Sequence, residues 1–205
     1  MQNDKIDKEA IISSVIKAKQ GDKKAFSFIY SEFFNPIFRF IYFRIGSKAE
    51  AEDLAQTVFL KIWLALPGFE VHPHTTTSFG VGVKEKGQFL SWCFTVARNS
   101  VIDFYKKKKE ILLDNLDNVK LHQISIQGGK DSLTQSIDDK ILGERMRRAI
   151  ALLSGDQQEV IIFKYINGLT NKEIASLLEL DKNEDNIRQI QFRAIKELKR
   201  IMNYE

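Results

Sequence analysis

Residues 169–200, LTNKEIASLLELDKNEDNIRQIQFRAIKELKR, constrain this chain more tightly than any other stretch of it. Thr170 opens a short apolar-periodic run and Glu173 follows three residues on, so TNKE is a capping box that starts a helix. Ile174, Ala175, Leu177 and Leu178 form the buried stripe of that helix. After the polar DKNED turn comes a second helix, on which Ile187, Ile190, Ala194, Leu198 and Ile201 gather on one side at about 100° per residue. The other side carries Arg188, Gln189, Phe192, Arg193, Lys196, Lys199 and Arg200. Two short helices of this kind can lay a basic face along a major groove, where Arg and Gln meet base edges and phosphates and an aromatic ring touches a thymine methyl. A basic helix taken alone is most often a solvated face; the capped helix before it turns the balance toward DNA.

The rest of the chain must supply whatever such a motif works with. At 205 residues and 43% hydrophobic content it can bury a substantial core as one domain or two small ones. The net charge is only +4, so a nucleic-acid footprint has to come from clustering rather than bulk charge. A single cysteine, Cys93, excludes an intramolecular disulfide framework and fits a reducing compartment. The N-terminus MQNDKIDKEA is too polar for a signal peptide, and no apolar run approaches the roughly 20 residues that span a bilayer. A cytoplasmic protein is expected, with no sensor domain fused beyond Glu205.

Helical periodicity dominates and strand-like alternation is nearly absent, which predicts an all-α protein. A first block, residues 9–66, reads as three helices broken near Gly21 and Gly46, with Pro36 placed to kink the second. Residues 67–88, rich in Thr, Gly and Pro, read as a loop. Helix resumes at Phe89 and runs to the KKKK cluster. The polar stretch 110–136, with Gly128 and Gly129, reads as a flexible linker, and a second helical block begins at Ile137. Two small helical domains, 1–109 and 137–205, are therefore expected on a tether.

Two helices of the first block have faces that a simple bundle does not need. In EDLAQTVFLKIWLAL, Ala51, Leu54, Val58, Ile62 and Leu66 form one arc, enough to bury the helix. Asp53, Gln56, Leu60, Trp63 and Leu64 occupy the opposite arc. Large apolar side chains beside an acid and an amide fit either a helix buried on both sides or, the favoured reading, a face that docks a protein. In FLSWCFTVARNSVIDFYKKKK, Phe89, Leu90, Cys93, Phe94, Ala97, Val101 and Phe104 form the core stripe. The far side shows Trp92, Arg98, Asn99, Asp103, Lys106 and Lys109, among others. Residues 98–109 hold five positive charges and one negative, a local +4 that equals the charge of the whole chain. A lysine run is usually a solvated helix end. Basic, aromatic and amide side chains interleaved on one face are what single-stranded nucleic acid requires, charge for phosphates and stacking for bases.

DLAQTVFLKIW, FLSWCFTVARNSVIDFYKKKK, GDQQEVIIFKYINGLTNKEIASLL and IRQIQFRAIKELKR, in that order, resemble an extracytoplasmic-function sigma factor of the sigma-70 family. The resemblance implies a first domain that binds the β′ coiled coil of core RNA polymerase through Asp53, Gln56, Leu60 and Trp63. It implies that the same domain recognises and melts the minus-ten element. Asn99 would meet a flipped base, Trp92 would support stacking and Arg98, Lys106 and Lys107 would hold phosphate, with Asp103 as a further contact or an orienting group. The C-terminal domain would read the minus-thirty-five element through Arg188, Gln189, Phe192, Arg193 and Lys196 and touch the polymerase β flap. Promoter DNA and core polymerase are the implied partners, with an anti-sigma factor as a third.

The chain departs from the family pattern in two places. Its 69–88 loop is longer than usual, from which altered minus-ten selectivity through residues 75–83 is expected, and the LDKNEDNI turn is two residues longer. His72 and His74 lack a third ligand nearby, and neither a P-loop nor an HExxH or GxSxG motif is present. No metal, no cofactor and no enzymatic activity are expected. A stand-alone helix-turn-helix regulator would explain the C-terminal stretch and leave the Asp53 face without a purpose. A nucleic-acid-modifying enzyme would explain the basic helices and lack a catalytic constellation.

Overall fold

A computed structural model describes residues 3–69, 85–114, 137–178 and 184–203, and among these all regular structure is helical. The first block comprises α1 (Asn3–Lys19), α2 (Lys23–Ile45), α3 (Lys48–Ala65) and α4 (Glu85–Asp114). The expected breaks have clear local causes. Asp22 caps α2, its carboxylate accepting from the amides of Lys24 and Ala25 at 2.8 and 3.1 Å. Gly46 ends α2 at φ +86°, a left-handed conformation that costs glycine little, and its amide donates to the Tyr42 carbonyl at 2.8 Å. Ser47 then caps α3. Pro36 lies inside α2, which continues through it as one helix of 23 residues.

Two boundaries differ from the sequence reading. The helix α4 begins at Glu85, four residues before Phe89, and continues to Asp114, five past Lys109. EKGQ is polar and EILLD is too short to show a helical period, so a reading by apolar periodicity passes over both segments. Residues 70–84 and 115–136, which include the histidine pair, the selectivity segment and most of the linker, lie outside the described residues.

The second block holds α5 (Ile137–Ala151), α6 (Gly155–Ile161), a π-helical turn (Ile162–Ile166), α7 (Asn171–Leu177) and α8 (Glu184–Asn203). Gln158 closes the α5–α6 corner, its Nε2 donating to the carbonyls of Ala151 and Leu153 at 2.9 Å each. The capping box forms as expected: the Glu173 amide donates to Thr170 Oγ1 at 3.2 Å, and the Thr170 amide to Glu173 Oε2 at 2.8 Å. Gly168, at φ +72°, makes the reversal that leads into it.

The two blocks meet along a shared interface. They pack together over one continuous core, with α2 against α5 and the π turn, and α4 against α7. Phe163 stacks on Phe40 with ring centres 5.0 Å apart and planes within 3°, and meets the edge of Phe94 at 5.0 Å. Arg147 of α5 is buried, held by Glu144 and lying over the Tyr42 ring. Phe94, assigned by its periodicity to the core of the first block, is thus also part of the junction between blocks.

Candidate protein-docking and nucleic-acid faces

The α3 helix is buried on one side only. Ala51, Ala55, Val58, Phe59, Ile62 and Leu66 are buried and Leu54 is half-buried. On the opposite arc Asp53 and Gln56 are exposed, and Leu60 and Leu64 are 58% and 69% exposed, which excludes a helix buried on both sides. Trp63 is half-buried with its ring edge-on to Phe26 at 4.7 Å. Between α2 and α3, Phe59, Leu60 and Trp63 form one wall of an apolar groove of about 400 Å³, whose second wall is Phe26 and Tyr30 and whose rim includes Lys23 and Gln56. The sequence reading found the α3 wall and missed the α2 wall. A signal was present: Phe26, Tyr30, Phe34, Phe38 and Tyr42 recur every four residues, one aromatic stripe along one helix. Tyr30, Phe34, Phe38 and Tyr42 stack successively at 5.1, 5.8 and 6.0 Å.

On α4 the expected stripe is buried at Phe89, Cys93, Phe94, Ala97 and Val101, with Leu90 and Phe104 at its margins. Burial pushes the Cys93 thiol far above its ordinary pKa. The far side separates into groups with different roles. Asn99, Lys106 and Lys107 are exposed. Trp92 is half-buried in a ring cluster, 4.8 Å from Phe69 and 5.7 Å from Phe89, and the Lys19 ammonium donates to the Phe69 carbonyl beside it. Asp103 lies 3.7 Å from Lys61, whose ammonium also donates to the buried Ser100 hydroxyl at 3.1 Å, so the acid steadies the α3–α4 contact. Lys108 turns back to Glu50 at 3.1 Å and leaves its neighbours as the outward-facing part of the lysine run. Arg98 faces the second block: its Nε donates to both carboxylate oxygens of Glu159, at 2.9 and 3.1 Å.

In the helix-turn-helix, Ile187, Ala194 and Leu198 of α8 are buried, as are Ile174 and Leu177 of α7. Gln191 Nε2 donates to Asn171 Oδ1 at 2.9 Å and links the two helices through their polar edges. Arg188, Gln189, Phe192, Arg193 and Lys196 all lie exposed on α8, and Phe192 is 72% exposed, a large ring with no apolar cover. Glu184 and Asp185 belong to the first turn of α8 rather than to the preceding turn, where they favour the helix N-terminus. Both pair with Arg188, Asp185 at 2.7 Å and Glu184 at 3.7 Å. Residues 179–183, which carry the rest of the lengthened turn, lie outside the described residues.

Such an architecture defines, among the described residues, an all-helical protein of two blocks, with an open apolar groove in the first and a helix-turn-helix in the second. A family model for sigma-70 region 2 matches residues 29–79, and one for sigma-70 region 4 matches residues 143–198. The chain is 28% identical to the ECF RNA polymerase sigma factor BldN of Streptomyces coelicolor, across 96% of this chain and 67% of that protein. It is 27% identical to the ECF RNA polymerase sigma factor SigW of Bacillus subtilis, across 84% and 87%. Among solved structures, CnrH in complex with the cytosolic domain of CnrY shares the fold at a TM-score of 0.65 and 17% identity, covering 96% of this chain and 99% of that one. The sigma factor RpoE in complex with the anti-sigma factor NepR, from Bartonella quintana, does so at 0.62 and 21%, covering 88% and 98%. The chain belongs to the sigma-70 family of RNA polymerase sigma factors, in its extracytoplasmic-function group. Its function is to direct promoter-specific transcription initiation; sigma factors are non-enzymatic initiation factors. Among the described residues no helix is long and apolar enough to cross a membrane.

Proposed function

We propose that residues 1–109 dock on core RNA polymerase and open the minus-ten element, that 137–205 read the minus-thirty-five element and meet the β flap, and that 110–136 link the two. The observation that carries the docking assignment is the uncovered apolar groove beside the exposed Asp53 and Gln56. Leu60 and Trp63 give a coiled coil an apolar seat there, Gln56 gives it a polar partner at the rim, and the exposed Asp53 lies on the same helix for a further polar contact. Replacing Asp53 and Gln56 together by Ala lowers affinity for core polymerase in a pull-down titration; unchanged affinity removes the assignment.

On α4, Asn99 is the contact for a flipped nontemplate base and Trp92 the stacking support, while Arg98, Lys106 and Lys107 hold phosphate. Asp103 orients Lys61 rather than touching DNA. Unstacking costs a few kcal/mol per base, which stacking at about 1–3 kcal/mol per base and charge neutralisation can offset. This assignment rests on the resemblance and on the exposure of these side chains, since the region 2 match ends at residue 79, before α4. Specific transcripts from a promoter library incubated with core polymerase and this chain support the scheme. Tight binding to duplex DNA without polymerase, and no transcripts with it, points instead to a stand-alone regulator. An anti-sigma factor is a further proposed partner, because RpoE, which shares this fold, is bound by the anti-sigma factor NepR. The site of action is the cytoplasm, where the polymerase works.

A further inference from the structure

Glu159 of α6 is 4% exposed, and its cationic partners come from the other block. Arg98 of α4 donates to both its oxygens, and Arg44 of α2 stands 3.9 Å from Oε1. Arg44 and Arg39 also donate to backbone carbonyls across the junction, those of Gly155 and Ile166, each at 3.3 Å. Beneath this polar layer lies the Phe40, Phe94 and Phe163 contact. A carboxylate inside a protein is tolerable only while cations or donors face it. Glu159 meets that condition when the two blocks are together.

Arg98 is also the α4 arginine assigned above to promoter phosphate. Arg98 commits its Nε to the Glu159 carboxylate while its side chain stays 37% exposed, so a phosphate must compete with that carboxylate for the same guanidinium. We propose that the Arg98–Glu159 pair is an autoinhibitory clasp: in the closed chain the second block supplies an internal anion that occupies a promoter-binding cation, and separation of the blocks releases it. The inference rests on the proposed DNA role of α4. Its conformational half does not depend on that role.

The test uses the full chain with spin labels at the exposed positions 31 and 199, one in each block, and measures the distance between them. Glu159→Gln keeps the shape and removes the charge. It is expected to lengthen and broaden the distance distribution relative to the wild-type pair. It is also expected to tighten binding of the free chain to short mixed-sequence single-stranded DNA by about threefold to tenfold. Adding Arg98→Ala to Glu159→Gln should abolish the gain while the blocks stay apart. Should Glu159→Gln lose its helical circular dichroism, Arg44→Gln, which removes the second cation and no assigned DNA contact, carries the same measurements. An unchanged distance distribution overturns the clasp, and opening with no gain in DNA affinity overturns its inhibitory role. Loss of the sigma assignment itself would appear separately, as an absence of specific transcripts with core polymerase.

Discussion

Arg98 and Arg188 both stand on faces assigned to DNA, and both hold a carboxylate, but the two pairs differ in kind. Arg188 meets Asp185 three residues away on the same helix, at 63% and 72% side-chain exposure. Arg98 meets Glu159 sixty-one residues away, on a carboxylate whose side chain is 5% exposed. An exposed pair within one helix is worth a few tenths of a kcal/mol and exchanges readily for a phosphate. Here the carboxylate is buried although Arg98 itself is 37% exposed, so drawing the cation away to a phosphate strands the carboxylate inside unless the surfaces part. The α8 pair can therefore tune affinity, whereas the α4 pair reports on conformation.

The contrast can be broken hardest at Phe163. Replacing it with Ala removes a ring packed against both Phe40 and Phe94, at a cost of about 3–5 kcal/mol on the scale of buried aromatic truncations. In denaturant unfolding the variant should melt in two separated transitions where the wild type melts in one; a single transition at unchanged midpoint would mean that the junction contributes little. Arg188→Ala comes next. Loss of a bidentate base contact should weaken upstream-element recognition by about 1–3 kcal/mol, read as loss of discrimination between intact and scrambled elements in transcription. Equal discrimination by wild type and variant would remove Arg188 from the reading face. Asp185→Asn should have the smallest effect, a gain in DNA affinity of about 0.3–0.5 kcal/mol from freeing Arg188, by the scale of local helix pairs. Its mark is a difference that shrinks with added salt; a salt-independent loss of affinity would show that Asp185 shapes α8 rather than masking Arg188.

What could be read from the chain alone was local. The TNKE box, the glycine breaks at 21 and 46, the arcs of α3 and the core stripe of α4 are each fixed by residues within a few turns of one another, and each is present in the structure. Whatever depends on which surfaces meet was out of reach. Periodicity shows that Phe94 is inside, but not that a ring from the second block helps to cover it. The sequence reading did not single out Glu159, although Val160, Ile161, Ile162 and Phe163 follow it without a break and are all buried, an apolar run that a solvated glutamate rarely adjoins. Glu184 and Asp185 read as part of the DKNED turn and prove to open α8, and their grip on Arg188 needed side-chain geometry. Of the candidate site, the exposed α3 and α8 residues stand where the pattern put them. Trp92, Arg98 and Asp103 each hold a partner within the protein as well.

Cys93 adds a property of another sort. Its thiol is fully enclosed and, with its pKa raised by burial, stays protonated in ordinary buffers, so a thiol reagent reaches it only after the core around it opens. As the single sulfhydryl of the chain, it is a built-in clock: the slow modification rate, compared with that of a free thiol, gives the frequency with which the core around α4 transiently opens.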